Sequence, residues 1–270
     1  MILVDAHVHI YDCFDLGKFF DSAYANFKAA AEQLDHGSDF AGILFLAETS
    51  KENWFQRLID YADGKDSLKE KATGSWTFHR TDENDSLFAK GEDLKSLFLI
   101  AGRQIETEEN IEVLALCTSD DFNDGKPILD LIREIKKKDG LIVIPWGVGK
   151  WAVSRGKVIR SLLIKGTERL SAHIGDNGNR PFFWPRPSLF KLAEDKGILN
   201  LPGSDPLPFA EECFKVGSFG FSLESSLHYQ RPATDLKSLI LNPSIKFKRY
   251  GRSERLIPFF KNQLRLRFKT

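Results

Sequence analysis

The chain has 270 residues, 42% apolar and 28% charged, the composition of an ordinary globular protein that can bury a sizeable core. Lys plus Arg and Asp plus Glu are equal at 38 each, so no overall field calls for nucleic acid or another polyanion. No run approaches the roughly 18 apolar residues of a membrane span. The N-terminus lacks the basic and apolar regions of a signal peptide, and Cys13, Cys117 and Cys213 stand far apart in no Cys-x-x-Cys spacing. The expectation is a soluble, cytoplasmic protein with reduced thiols.

Taken in order, Ile2, Leu3 and Val4 read as a short buried strand that runs into Asp5-Ala6-His7-Val8-His9. Residues 16–34 place Phe19, Phe20, Ala23, Phe27, Ala30, Ala31 and Leu34 at helical spacing. A continuous apolar run at 40–47 suits a strand buried on both faces, and 54–62 reads as the next helix. Strand, helix, strand, helix is the signature of a parallel sheet.

Residues 76–80 alternate like a strand and are followed by a polar turn at 81–86. Residues 97–105 and 111–117 read as two strands joined by an acidic turn. Alternation resumes with a helix at 127–138, with Ile128, Leu131, Ile132 and Ile135 on one face, and a strand at 141–144. A glycine-bearing loop (145–150), a helix (158–164), a strand (170–174), a helix (189–195) and a strand (198–201) follow. The chain closes with a helix at 209–214, a strand at 219–223, a helix at 236–241 and a basic amphipathic helix at about 254–268. That last helix is expected to pack with its basic face in solvent. The fold expected is a single α/β domain over 1–270, a distorted (β/α)7-type TIM-like barrel.

Polar residues gather at the ends of these strands, the face where a β/α barrel assembles its chemistry. Positions i and i+2 of a strand share a side, so the His7 and His9 imidazoles can reach one point. Two neutral imidazoles so placed make half of a divalent-metal site; hydrogen bonding to carbonyls or water is the alternative. Asp205 in Gly-Ser-Asp is either a hard carboxylate ligand or a helix N-cap, and Glu48 has the same two readings. His173 and Asp176 are further candidates, Asp176 and Asp205 being the carboxylates available as general base. Arg103, Lys150 and Arg180 can bind phosphate, carboxylate or an acidic sugar, and Trp146 can stack on a sugar or base. His36, His79 and His228 read as structural or surface residues.

Asp5-Ala-His7-Val-His9 resembles the opening motif of the polymerase-and-histidinol-phosphatase (PHP) metal-dependent phosphoesterases. Residues 98–107 followed by 111–116 are similar to that family's Gly-x-Glu hairpin, residues 140–145 to its next core strand, and Gly203-Ser-Asp205 to its closing motif. The resemblance implies a distorted seven-stranded barrel holding two or three Zn, Mn or Fe ions and hydrolysing phosphate esters. The chain departs from that pattern in four places. Ala47-Glu48 replaces Thr-Asp-His, Gln104 stands where a bridging glutamate belongs, Pro145-Trp146 supplies no histidine, and Pro206-Leu207 follow Asp205 without the last ligand.

The remaining donors, His7, His9, Asp205 and Glu48 with His173 in reserve, support one divalent ion (Zn, Mn or Fe). The function expected is hydrolysis of a small-molecule or sugar phosphoester by a metal-activated water, with Gln104 among the substrate-binding residues. The alternatives are a catalytically depleted barrel that binds a ligand or partner, and an amidohydrolase-type enzyme. Neither a membrane nor a nucleic acid is an expected partner.

Overall fold

The computed structural model describes residues 1–37, 39–65, 68, 70–165 and 172–268. The elements are β1 (Ile2–Val8), α1 (Leu16–Gln33), β2 (Ala41–Leu46), α2 (Trp54–Ala62), the one-turn α3 (Glu70–Thr73), β3 (Thr77–Arg80), β4 (Ser86–Lys90), β5 (Ser96–Ile100), β6 (Gly102–Glu106) and β7 (Glu112–Leu116). They continue with α4 (Ile128–Lys137), β8 (Leu141–Pro145), α5 (Val153–Lys165), β9 (Ala172–Gly175), α6 (Ser188–Asp195), a 3-10 helix (Ala210–Lys215), β10 (Gly220–Leu223), α7 (Pro232–Leu241), β11 (Phe247–Tyr250) and α8 (Leu256–Phe268).

The closed β/α barrel read from the sequence is not what forms. The strands make two sheets, ordered β11-β10-β1-β2-β5-β4-β3 and β6-β7-β8-β9, and neither closes on itself. Two local events explain the difference. The apolar stretch expected as one strand at 97–105 breaks at Ala101, so that β5 pairs parallel with β2 while β6 opens the second sheet. Elsewhere antiparallel neighbours extend the first sheet: the β3–β4 hairpin lies on β5, and β10 and β11 follow β1. An antiparallel pair needs only a short turn, whereas each parallel neighbour needs a crossover, usually a helix.

The packing is layered. Helix α1, with Asp15 capping the Lys18 amide at 3.0 Å, buries Phe19, Phe20, Ala23 and Phe27 with α2 on one face of the larger sheet. Between the sheets lies a second core of Val4, Ala6, Ile43, Phe45, Leu114, Val143, Leu201 and Phe221, with α7 adding Leu236 and Ile240. The far face of the smaller sheet is covered by α4, α5 and α6 through Ile128, Leu131, Ile132, Ile135, Ile159 and Phe190. No helix among the described residues is long and apolar enough to cross a membrane.

The expected strand at 198–201 is an extended segment joined to its neighbours by isolated bridges, Ile174 with Asn200 and Asn177 with Gly203. This segment links the sheets beside β1. The Ala6 amide donates to the Pro202 carbonyl at 3.2 Å, Asp205 N to His7 O at 2.8 Å, and Gly203 N to Asp176 O at 3.0 Å. Leu170 and Ser171 of the expected strand at 170–174 lie outside the described residues, as do Lys269 and Thr270.

Candidate metal centre

Strand β1 carries a register shift against β2 between Asp5 and Val8. Such a bulge re-aims side chains. Val4 and Ala6 face the core between the sheets and Val8 and Ile10 face the α1 side, while His7 and His9 turn toward a common point at the end of the strand.

Asp5 anchors that end from below. Its buried carboxylate accepts the amides of Ser204 and Gly217, both at 2.8 Å, and of His7 at 3.3 Å. Burial pushes its carboxyl up to about 6 in spite of these donors. The Gly203-Ser204-Asp205 turn is thereby pressed onto the histidines. A Cβ at Gly203 would lie 2.2 Å from His7 N and 2.5 Å from His7 Cβ, so the glycine is required by close approach.

Three donor atoms converge here from two ends of the chain. His7 Nε2 is 3.0 Å from His9 Nε2, and Asp205 Oδ1 lies 3.6 Å and 3.5 Å from them. Gln104 Oε1 stands 2.9 Å from His7 Nε2. One ring nitrogen offers a single proton or a single lone pair, so His7 Nε2 cannot satisfy all three neighbours. A cation among them can. Ligand bonds of about 2.0–2.2 Å set donor atoms roughly 3–3.6 Å apart, which matches these separations. His7, His9 and Asp205 are the group that fits a metal among the described residues. Burial lowers His9 to about 4, which keeps its ring neutral, the form a metal requires, at physiological pH.

Supporting contacts orient the carboxylate. Asn177 Nδ2 donates to Asp205 Oδ2 and, at 3.2 Å, to the Trp146 carbonyl, which leaves Oδ1 turned to the imidazoles. Asn179 donates to the Asp205 carbonyl, and Lys215 to Asn179 at 3.2 Å. Tyr11 stacks on His9 with centroids 5.4 Å apart. Its phenol is held protonated by burial, then by the charges of Asp205, Glu52 and Glu112.

The other residues singled out in the sequence sit elsewhere. Glu48 is buried outside the trio: it accepts the Phe55 amide at 2.8 Å, capping α2, and pairs with Arg103 at 3.1 Å. Arg103 also reaches Asp121 at 2.8 Å, on the opposite side of β6 from Gln104. Asp176 is no free base, because Arg180 grips both its oxygens at 2.8 and 2.9 Å and Arg249 adds a second guanidinium. The same contacts remove Arg180 from the substrate-binding set.

His173 falls outside the metal group. Both its ring nitrogens are buried with no partner among the described residues, and burial lowers it to about 4. Trp146 is buried in the outer core, edge-on to Trp184 at 6.4 Å, and Lys150 is paired with Glu112 at 2.6 Å. Gln104 faces His7 and is a neighbour of the trio. The sequence reading passed over Asn177, Asn179 and Tyr11. Tyr11 follows directly on the His-x-His, whereas no local signal marks the asparagines beyond their glycine-rich turn.

No family model matches the chain, and no curated protein matches it. Among solved structures it is similar to PsfC from Pseudomonas syringae PB-5123, with a TM-score of 0.54 over 93% of this chain and 91% of that one. Identity is 15%, so the likeness is one of fold.

Proposed function

We propose that the chain is a hydrolase of small phosphoesters that holds one divalent ion, Zn, Mn or Fe, on His7, His9 and Asp205. The carrying observation is the convergence of two Nε2 atoms and one carboxylate oxygen from positions about 200 residues apart in sequence. The resemblance of Asp5-Ala-His7-Val-His9 and Gly203-Ser-Asp205 to the PHP phosphoesterases supports the same reading. An ion there would supply Lewis-acid polarisation of the phosphoryl group and acidify water. The protein's own groups do the rest. Asn177 fixes the Asp205 carboxylate and Tyr11 stacks on His9. Asp205 is the remaining acceptor for the proton of water. The three free cysteines support a cytoplasmic setting.

A second reading, a ligand-binding protein that has lost catalysis, is favoured by the neutral Gln104 and by the saturated Asp176. Elemental analysis of protein purified without chelator separates the two. Hydrolysis predicts about one equivalent of Zn, Mn or Fe, lost in His7→Ala/His9→Ala together with phosphomonoesterase activity. Wild-type protein that stays metal-free after soaking in each ion selects the binding reading.

A further inference from the structure

The C-terminal segment carries a groove that the metal centre does not use. Arg180, Phe182, Arg252, Ser253, Arg255, Leu256, Ile257 and Pro258 enclose about 1010 Å³ between the loop after β9 and the start of α8. Backbone bonds from Phe182 N to Glu254 O and from Glu254 N to Arg180 O, both 3.0 Å, hold its two walls together. Its volume is at the upper end of that of small-molecule sites.

Two features occur together in this groove. Phe182, Leu256 and Ile257 are exposed, Ile257 to 80%, although nothing in their sequence neighbourhood requires apolar side chains in water. Around them stand Arg252 and Arg255, which no ion pair engages among the described residues, although most other arginines of the molecule are spent on carboxylates. Arg180 is committed to Asp176, and the nearby acid, Glu254, is committed to Lys215. The groove is therefore positive at its rim and apolar within. Leu256 and Ile257 also open α8, whose leading N–H groups lack partners within the helix.

We propose that this groove binds a small amphipathic anion, an organic carboxylate or phosphate with an apolar body. The head group pairs with Arg252 and Arg255, guanidinium being suited to planar bidentate contact with oxyanions. The hydrocarbon lies on Phe182, Leu256 and Ile257, burying apolar surface that is otherwise hydrated. A second copy of the chain fits less well, since a two-fold contact would set two like-charged rims against each other.

Isothermal titration of the full chain with octanoate, acetate and octan-1-ol tests the assignment. Octanoate is expected to bind saturably, with acetate and octanol at least about tenfold weaker, because each lacks one of the two interactions. Arg252→Gln/Arg255→Gln and, separately, Ile257→Asp should each weaken octanoate at least about tenfold. All three positions are exposed, and circular dichroism checks that the variants fold. Octanol binding as tightly as octanoate, unchanged affinity in the double variant, or no saturable octanoate binding up to about 10 mM overturns the proposal. So does flotation with phosphatidylglycerol vesicles but not phosphatidylcholine vesicles in the absence of octanoate binding, which would assign the face to a lipid surface.

Discussion

Asp205 and Asp176 both follow glycine-bearing strand ends on the same side of the molecule, yet they meet opposite fates. Asp176 is enclosed by the guanidiniums of Arg180 and Arg249, with a further amide from Asn177, and has no oxygen left over. Asp205 has one oxygen occupied by Asn177 and presents the other to two imidazoles. The first is a buried ion cluster that joins β9 to β11. The second faces a cluster of donors that could hold a cation. A carboxylate becomes available for chemistry through what its neighbours leave unsatisfied, and position after a strand does not decide that.

The strongest test exchanges the two. Asp176→Ala leaves the buried Arg180 without its main counter-charge and the exposed Arg249 without a partner it reaches, and should cost about 3 kcal/mol in urea unfolding. Asp205→Asn should change stability by less than about 1 kcal/mol, because asparagine tolerates the left-handed backbone there (φ 47°), while metal retention falls at least about tenfold. Equal stability losses in the two variants would erase the distinction.

A middle-sized effect is expected at Gly203, where an alanine Cβ collides with the His7 backbone. Gly203→Ala should cost about 1–3 kcal/mol by overpacking and weaken metal binding by separating Asp205 from the histidines. Wild-type metal affinity in that variant would show that the turn does not set the site.

The smallest effect extends the comparison to histidines, of which His9 has convergent partners and His173 has none among the described residues. His173→Leu should leave metal content unchanged and stabilise the fold at pH 7 by about 1 kcal/mol, since it removes two unsatisfied buried nitrogens. The pH dependence sharpens this. Between pH 6.5 and 4 the unfolded chain binds protons that folded His9 and His173 refuse, so each makes stability fall as pH falls. Asp5, raised from 3.8 to about 6, has the opposite slope over most of that window. Removing His173 should therefore take up to about one proton from the slope of metal-free wild-type protein between pH 6 and 4. Urea titrations at pH 6, 5 and 4 measure both slopes.

Much of the frame was legible in the sequence because periodicity is local. The helical spacing of Phe19, Phe20, Ala23 and Phe27 and of Ile128, Leu131, Ile132 and Ile135 predicted the buried faces of α1 and α4. Strands β1, β2 and β8 followed from short apolar runs. Strand pairing was not legible. β4 and β11 are short and carry charged residues, and the handover at Ala101 between the two sheets is marked by little more than Gly102, whose Cβ would meet the Leu46 carbonyl at 2.5 Å.

At the site, His7, His9 and Asp205 could be read because their motifs are short. Asp176 was taken for a free carboxylate because Arg249, 73 residues later, gives no sign of its destination. Glu48 had two readings, and an amide seven residues on together with Arg103 decided for the cap.

The anchoring of Asp5 has a consequence for the order in which the molecule is made. Its amide partners Ser204 and Gly217 lie 199 and 212 residues downstream. During synthesis the His-x-His leaves the ribosome first, but it has neither Asp205 nor a finished floor until four-fifths of the chain has followed. Contacts of such separation close late and slowly. Until they close, the imidazole pair is an open, weak chelator and the Asp5 carboxylate has only the local His7 amide as donor. A nascent chain stalled before residue 217 would therefore hold its N-terminal strand unfinished, and tight uptake of an ion at His7 and His9 would report that synthesis has passed that residue.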